Sequence, residues 1–513
     1  VTAPSASRPW SHPRVPADDD TAAQRRRGPR AGLLVATLAL GTTALSLLQS
    51  LVVPILDAIG DQLGVSPAAA GWVLTANLLA AAVSTPVLGR LGDTWGERPV
   101  MIGILVAMTA GTLLALLTSS LPALIAARVL QGVSYGLFPL SISVLRRELP
   151  AARLSVGMSV VSSTLAVGGV VGLVAAALLT RDGGDYHRPF WIGLAAAVTA
   201  LVLVVLVLPR RPATGSGRVD WWGAVVLACG LVLLLLPVSQ GNSWGWGSPA
   251  TVGCAVGAAV VLAGWVLLQR HREDPLVRPA MLADPRTLVP NLAGVMTGIG
   301  LFASFLAVLQ FVQTPPEAAG YGFGASVVEA AVVFLLPGGL AGVLLAPVAG
   351  RVVARAGGLP TLLTGAACGL AGFLLLALLR DVAWQVVVAG LLTQLWATVA
   401  YAALPALVVS AVRPEETGVA NAVNSIARSV GQAVGSTVTV AVLAAGVDPA
   451  TGFPSAAAFT AVALVGAGGA AAVVLLSAAG LAGRRGRGGP DRLADVEQAT
   501  AAAGEWSPVS GLR

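Results

Sequence analysis

The chain has 513 residues, of which 56% are hydrophobic and only 11% charged, with a formal net charge of +7. A soluble protein carries about a quarter of its residues as charges, so a water-soluble fold is excluded and most of this chain must lie in lipid. All 31 basic residues are arginine. They flank apolar runs instead of forming one patch, which excludes the nucleic-acid reading that a basic balance invites in a soluble protein.

The first thirty residues carry Pro4, Pro9, Pro13, Pro16 and the run Asp18-Asp19-Asp20, then end in Arg25-Arg26-Arg27 and Arg30. They lack the layout of a cleavable signal and read as a disordered cytoplasmic tail. Apolar runs long enough to cross a core of about 30 Å follow near 33–55, 69–88, 99–118, 122–145, 157–179, 190–208, 221–238, 250–268, 290–312, 325–349, 361–379, 383–411, 418–446 and 456–480. That makes fourteen. Each must be helical, because lipid offers no partner to backbone N–H and C=O groups. With the N-terminus inside, 26 arginines fall in inner segments and three (Arg181, Arg188, Arg380) in outer ones, while Arg128 and Arg428 lie within spans. One helix more or fewer would scramble that alternation, so the positive-inside rule supports fourteen spans with both termini cytoplasmic.

A repeat divides the chain. Pro86-Val87-Leu88-Gly89-Arg90, followed by Gly96 and Pro99, returns 261 residues later as Pro347-Val348-Ala349-Gly350-Arg351, followed by Gly357 and Pro360. Both copies follow the second span of a set of six. The expected organisation is an N-tail (1–30), a six-helix bundle (31–208), an inserted helix pair with its flanking loops (209–289), a second six-helix bundle (290–480) and a cytoplasmic C-tail (481–513). A parallel repeat of this kind is a transporter plan that holds substrate near mid-membrane between the halves.

The stretch Gly89-Arg90-Leu91-Gly92-Asp93-Thr94-Trp95-Gly96-Glu97-Arg98-Pro99 resembles the signature loop between the second and third helices of major facilitators. Thr94 and Glu97 stand where basic residues are usual. Arg128-Val129-Leu130-Gln131-Gly132 resembles the fourth-helix motif of the same family, and six spans, a hairpin and six more resemble its fourteen-helix drug:proton antiporter branch. Asp185-Tyr186-His187, Asn242 to Ser248, Tyr321 to Ser326, and Thr417-Gly418-Val419-Ala420 with Asn424 and Arg428 extend the likeness over roughly residues 31–480. The fifth span keeps Gly168 and Gly172 of the antiporter motif but not its proline, and the first span lacks the acid that the branch often carries.

The resemblance implies an all-α membrane protein of the major-facilitator fold whose signature loop gates the inner side. Gly89, Arg90, Asp93, Gly96 and Arg98 form that loop, Arg128, Gln131 and Gly132 the fourth-helix motif, and Gly168 and Gly172 the fifth. It also implies proton-driven export of small amphipathic drugs or natural products from a bacterial cytoplasmic membrane.

A charge within a span is costly and therefore a functional candidate. Glu329 and Arg128 are the candidates for proton coupling, although Ser326-Val327-Val328-Glu329 also fits a capping box. Gln49, Asn77, Asn291, Gln310, Gln313, Asn421, Asn424 and Arg428 are candidates for a polar cavity, as are the aromatic Trp72, Phe302, Phe305, Trp396 and Tyr401. Each polar group can equally be interhelical glue. No P-loop, zincin motif or nucleophile elbow occurs, so ATP-driven transport and proteolysis lack their chemistry here. Cys229, Cys254 and Cys368 stand alone, and His12, His187 and His271 form no cluster, so no metal and no cofactor is expected. The expected partners are a small-molecule substrate, protons and the bilayer, without nucleic acid; the sequence does not fix the oligomeric state, for which a monomer is the expectation. Proton-coupled uptake of a polar solute, and a non-transporting sensor on the same fold, are the alternatives.

Overall fold

A computed structural model describes residues 17–180, 184–210, 219–413 and 416–486. The remaining stretches, including Arg181 and most of the C-tail, lie outside the described residues. Among those described, fourteen helices are long and apolar enough to cross a membrane: α1 Ala31–Ile55, α2 Ala69–Trp95, α3 Glu97–Leu117, α4 Leu121–Glu148, α5 Arg153–Leu179, α6 Arg188–Val207, α7 Trp221–Val238, α8 Pro249–Arg270, α9 Pro285–Gln313, α10 Val327–Ala356, α11 Gly358–Leu378, α12 Ala383–Ala411, α13 Thr417–Ala445 and α14 Ala456–Ala482. The chain is thus an all-α integral membrane protein, as its apolar runs require.

Helix runs past the spans at both ends, and at the N-terminal one an expectation needs correction. Helix continues outward from α1 as far back as Ala17, so part of the stretch read as a disordered tail is helical. At the other end it continues from α14 to Gly486. A helix nucleated in the bundle extends into flanking sequence without a second nucleation cost.

Two bundles form on separate cores. Leu38, Leu48, Ile104, Met108, Leu124, Phe190 and their neighbours from α1 to α6 make one. Phe373 of α11 and Trp396 and Ala400 of α12, with neighbours on α9, α10 and α14, and Phe311, Phe334 and Phe459 on the side of the α9 C-terminus, make the other. The α7–α8 hairpin belongs to neither core. Leu227, Leu231 and Leu235 of α7 meet Ala82 of α2 and Val419 of α13, so the hairpin bridges the halves. The Thr437 hydroxyl donates to the Val238 carbonyl, and the Gln240 amide to Thr75, at the end of the hairpin nearer its loop.

The sequence repeat is also a repeat of backbone. Gly96 (φ 92°) turns the chain between α2 and α3, and Gly357 (φ 86°) turns it between α10 and α11. Both angles lie in the left-handed region where a Cβ would be strained. Pro86 and Pro347 stand inside the helices that precede them. The strands of residues before Gly96 differ from expectation: Gly89 to Trp95 are the last turns of α2, not a loop. Only Gly96 breaks the helix.

Within each half one pair of helices approaches most closely through glycine. A Cβ on Gly168 or Gly172 of α5 would come 2.5 Å from the carbonyl oxygen of Thr43 or Leu47 in α1. A Cβ on Gly431 or Gly435 of α13 would meet Val295 and Ile299 carbonyls of α9 at 2.1 and 2.5 Å. Helices in lipid associate by such backbone contact because no hydrophobic drive separates them from the tails. The antiporter-motif glycines therefore have a packing role that their spacing alone accounts for.

Two helices lose their regularity just before a proline. Helix α4 tightens to a 3₁₀ turn at Val133–Gly136, just before Pro139, which has no N–H to offer Tyr135. Helix α10 loosens to a π turn at Ala330–Leu335, just before Pro337. Both irregularities are of the kind that accompanies mobile or functional sites.

Candidate functional site

The halves meet along two seams, and the repeat relates them. On one, Gly89 of α2 lies against α13, where a Cβ would sit 2.9 Å from the Gly418 carbonyl. On the other, Gly350 of α10 lies against α5, where a Cβ would sit 2.6 Å from the Val156 Cα. Gly89 and Gly350 are the repeat-related positions, and 418 and 156 lie close to the same offset. Their chemistry differs. At the first seam the buried Asp93 accepts the backbone N–H groups of Gly418 (3.2 Å) and Val419 (3.1 Å), at the start of α13. At the second, the position corresponding to Asp93 is Ala354.

A helix N-terminus presents unpaired N–H groups and a partial positive charge, and Asp93 supplies both needs from the opposite half. Nearby, Arg146 at the end of α4 reaches the end of α12. Its guanidinium donates to the carbonyls of Val412 (3.1 Å) and Arg413 (3.3 Å) and to the Thr417 hydroxyl. Arg278, from the segment joining α8 to α9, pairs with Glu416 at 3.1 Å. The turn between α12 and α13 is thus held from α2, α4 and the hairpin segment at once. Sequence reasoning found Asp93 and missed Arg146, whose only signal was an Arg pair at a helix end.

The two unusual residues of the signature also find partners. Glu97 is buried and pairs with Arg147 of α4 at 2.5 Å, while accepting from Ser143 at 3.0 Å. Thr94 bonds back to its own helix. Arg98 donates to the Val205 carbonyl of α6 at 2.6 Å, so it ties α3 to α6 within one half. Arg90 meets Asp93 only through charge.

Arg128 is fully buried and cross-links its own half. It donates to the carbonyls of Val73 in α2 (3.2 Å) and Leu48 in α1 (3.0 Å), and to Gln131 Oε1 (2.6 Å). Gln131 in turn donates to Thr112 of α3, and Asn77 donates to the Arg128 carbonyl at 3.0 Å. A Cβ on Gly132 would collide with the Asn77 carbonyl oxygen at 2.6 Å. The fourth-helix motif is a knot joining α1, α2, α3 and α4, and Asn77, expected as a cavity candidate, is part of that knot.

Glu329, the acid expected as a coupling candidate beside Arg128, is exposed and closes a capping box. Its carboxylate accepts from the Ser326 N–H (2.8 Å), and its own N–H donates to the Ser326 hydroxyl (3.2 Å). Arg128 is not among its partners. The cap geometry that the spacing allows is therefore present, with a carboxylate at N3 satisfying a helix-end donor locally.

The remaining polar candidates divide. Gln310 is exposed and Gln313 bonds its own helix at the far end of α9. Gln49 is half-buried and makes no hydrogen bond among the described residues. Asn421 donates to the Thr417 carbonyl of its own helix. Trp396 fills the core of the second half against Phe373, so it lines no path between the halves. Only Asn291, Asn424 and Arg428 connect: Asn424 donates to Asn291 Oδ1 (3.1 Å) and accepts from Arg428 (2.8 Å). The Arg428 guanidinium then extends to the boundary, 4.8 Å from the ring centre of Phe138 in α4 and 5.1 Å from that of Tyr401 in α12. This is a cationic, aromatic-walled point shared by the two halves.

On the face opposite the Gly96 and Gly357 turns, the branch-like stretches serve as joints. Tyr186 is buried and donates to the Thr118 carbonyl (2.8 Å), stacked on His187, whose two ring nitrogens face Asp185 and the Thr118 carbonyl. Burial pushes the Asp185 carboxyl up, but the backbone and ring bonds from His187 outweigh it and hold it below the usual carboxylate range. Tyr321 packs on Phe311 and Phe459 and donates to the Pro454 carbonyl. Among the described residues no group of His, Cys, Asp and Glu could hold a metal ion.

Known proteins agree with this architecture. The chain is 28% identical over 309 residues to a multidrug resistance protein B homolog of Mycobacterium tuberculosis, covering 59% of this chain and 55% of that relative's own length. It is 28% identical over 410 residues to the cephamycin export protein of Amycolatopsis lactamdurans, covering 77% of this chain and 82% of that one. The crystal structure of the human organic anion transporter MFSD10 superposes with a TM-score of 0.60 over 87% of this chain and 99% of that one, at 18% identity, which is likeness of fold alone. The model of the Major Facilitator Superfamily matches residues 38–436, and with fourteen helices in two repeat-related halves plus a bridging hairpin, the chain belongs to that superfamily.

Proposed function

We propose that this protein is a proton-coupled exporter of small amphipathic compounds, working by alternating access in a bacterial cytoplasmic membrane with both termini inside. The observation that carries the reading is the tether at one face: Asp93 and Arg146 of the first half grip the α12–α13 turn of the second. Bonds that cross between two otherwise separate cores at one membrane face are what a gate needs, since breaking them lets the halves rock about the site between them. Export as the direction draws on the named roles of the multidrug and cephamycin relatives. The arginine distribution, with 26 of 31 in segments that the sequence assigns to the inside, supports a cytoplasmic position for the tethered side.

The test is proton release from reconstituted vesicles on addition of each compound in a drug and antibiotic panel. Release that depends on compound and on an imposed pH gradient is the expected result. Silence across the panel, from protein that is folded, removes the proposal. Coupling does not reside in Glu329 if its carboxylate serves the cap. Glu329→Gln, which preserves that cap, should therefore leave transport and its pH dependence within about twofold of the parent. Loss of proton-driven transport in this variant, with compound binding intact, would return Glu329 to the coupling role.

A further inference from the structure

We infer that Arg428 is the docking point for a negatively charged group on the transported compound, so that the boundary site selects organic anions, carboxylate-bearing amphiphiles foremost. The inference rests on the exporter reading and adds the substrate class. Arg428 is the twelfth residue of α13, roughly 16 Å along the helix from Thr417 at 1.5 Å per residue, which is close to mid-depth in a core of about 30 Å.

The two buried arginines make a controlled comparison. Arg128 spends its guanidinium on carbonyls of two other helices and on Gln131, and so its charge has a structural account. Arg428 hydrogen-bonds only to its own helix, at Asn424 and Ser425. An uncharged side chain could make such bonds, so they do not explain a cation at 5% exposure. No carboxylate lies within ion-pairing distance of it among the described residues. The described acids of the spans sit at their ends: Asp93 and Glu97 near the Gly96 turn, Glu148 as the last residue of α4, and Glu329 in its cap. A buried charge without a counter-charge is costly, and the faces of Phe138 and Tyr401 offset only part of that cost.

The same spot carries an apolar wall drawn from both halves: the rings of Phe138 (4.8 Å) and Tyr401 (5.1 Å) lie against the guanidinium. A cation between two aromatic faces fits an anionic head on an aromatic or aliphatic body. An anion held there would also bridge the halves, because Arg428 and Tyr401 belong to one and Phe138 to the other.

The test uses two probes with one body and opposite charge, 4-(1-pyrenyl)butanoate and 4-(1-pyrenyl)butyl-trimethylammonium, titrated against the full chain in nanodiscs with empty nanodiscs subtracted. The parent should prefer the carboxylate by at least about tenfold. Arg428→Gln should weaken the carboxylate about 30-fold, the usual cost of stripping one partner from a buried charge pair, and leave the ammonium within about threefold. Arg428→Lys, which keeps the charge, should retain part of the preference. Equal binding of both probes by the parent overturns the proposal even if no variant folds, and so does an equal loss of both in Arg428→Gln, which would mark a structural tether. If vesicles exchange the ammonium probe for protons and ignore the carboxylate, the substrate class is wrong and the exporter reading stands. If neither probe nor any panel compound releases protons while nanodiscs still bind the carboxylate, the exporter reading fails and the anion site stands.

Discussion

Asp93→Ala should lower turnover at least tenfold while leaving membrane insertion and expression near those of the parent. The carboxyl accepts two backbone N–H groups at the start of α13, both buried in the closed gate. Removing it leaves both donors unsatisfied, at about 1–3 kcal/mol each. The loss falls only on the conformation in which the halves touch at that face, because an open gate hands those N–H groups to water. A penalty of about 3 kcal/mol changes the ratio of two conformations by roughly a hundredfold. A cysteine placed at Val412, beside the Arg146 clamp, should accordingly react faster with a membrane-impermeant maleimide in the Asp93→Ala background. Asp93→Asn should be no milder, since its amide can accept one N–H but presents its own N–H groups to the other. Unchanged turnover and unchanged labelling would dissociate this carboxyl from gating.

Arg128→Leu should produce the largest loss of stability of any single substitution considered, with a poor yield of folded protein and a melting transition well below the parent's. Its guanidinium satisfies the Val73 and Leu48 carbonyls and orients Gln131, which holds Thr112. Four helices lose their common partner. Hydrogen bonds to a charged group contribute about 1.5–3 kcal/mol each, so a deficit of several kcal/mol is expected, a large share of a marginal total. Arg128→Lys should recover little, because a point ammonium cannot span the fork of acceptors. Thermal unfolding monitored by tryptophan fluorescence in detergent checks both. A variant that melts like the parent but no longer transports would reverse the assignment, making Arg128 a functional charge.

The span count was legible because a bilayer imposes length and polarity on every crossing segment, and arginine sides with one face. The repeat was legible through Pro86, Gly96 and Pro99 because those residues are chosen for backbone geometry, which survives where side-chain chemistry drifts. Both turn glycines kept their left-handed φ at the matching offset. The polar residues were less readable. Asn77 and Asn424 look alike in sequence, yet one secures a knot inside the first half and the other orients Arg428 at the boundary. What separates them is the helix face opposite, which is tertiary information. Arg146 was hidden for a related reason: a pair of arginines at a helix end reads as topology, and only the approach of α12 turns one of them into a clamp. The helical course of Gly89 to Trp95 was hidden by the glycines themselves, which serve close approach, Gly89 to α13 and Gly92 to Leu140 of α4, and not flexibility.

Ala354 at the position that corresponds to Asp93 makes the two seams mechanically unequal. The α5–α10 contact at Gly350 shows no interhelical hydrogen bond among the described residues, whereas the α2–α13 contact at Gly89 is reinforced by Asp93. Dispersion contacts between surfaces this close fall off within an ångström or so of separation, but they tolerate sliding and rotation, having no bond direction to lose. Hydrogen bonds into a helix end tolerate neither. The α5–α10 side can therefore serve as a pivot that stays in contact while the α2–α13 side comes fully apart. A symmetric pair of carboxylates would instead have to release together. Of the two copies of one joint, the one with Asp93 is built as a latch and the one with Ala354 as a bearing.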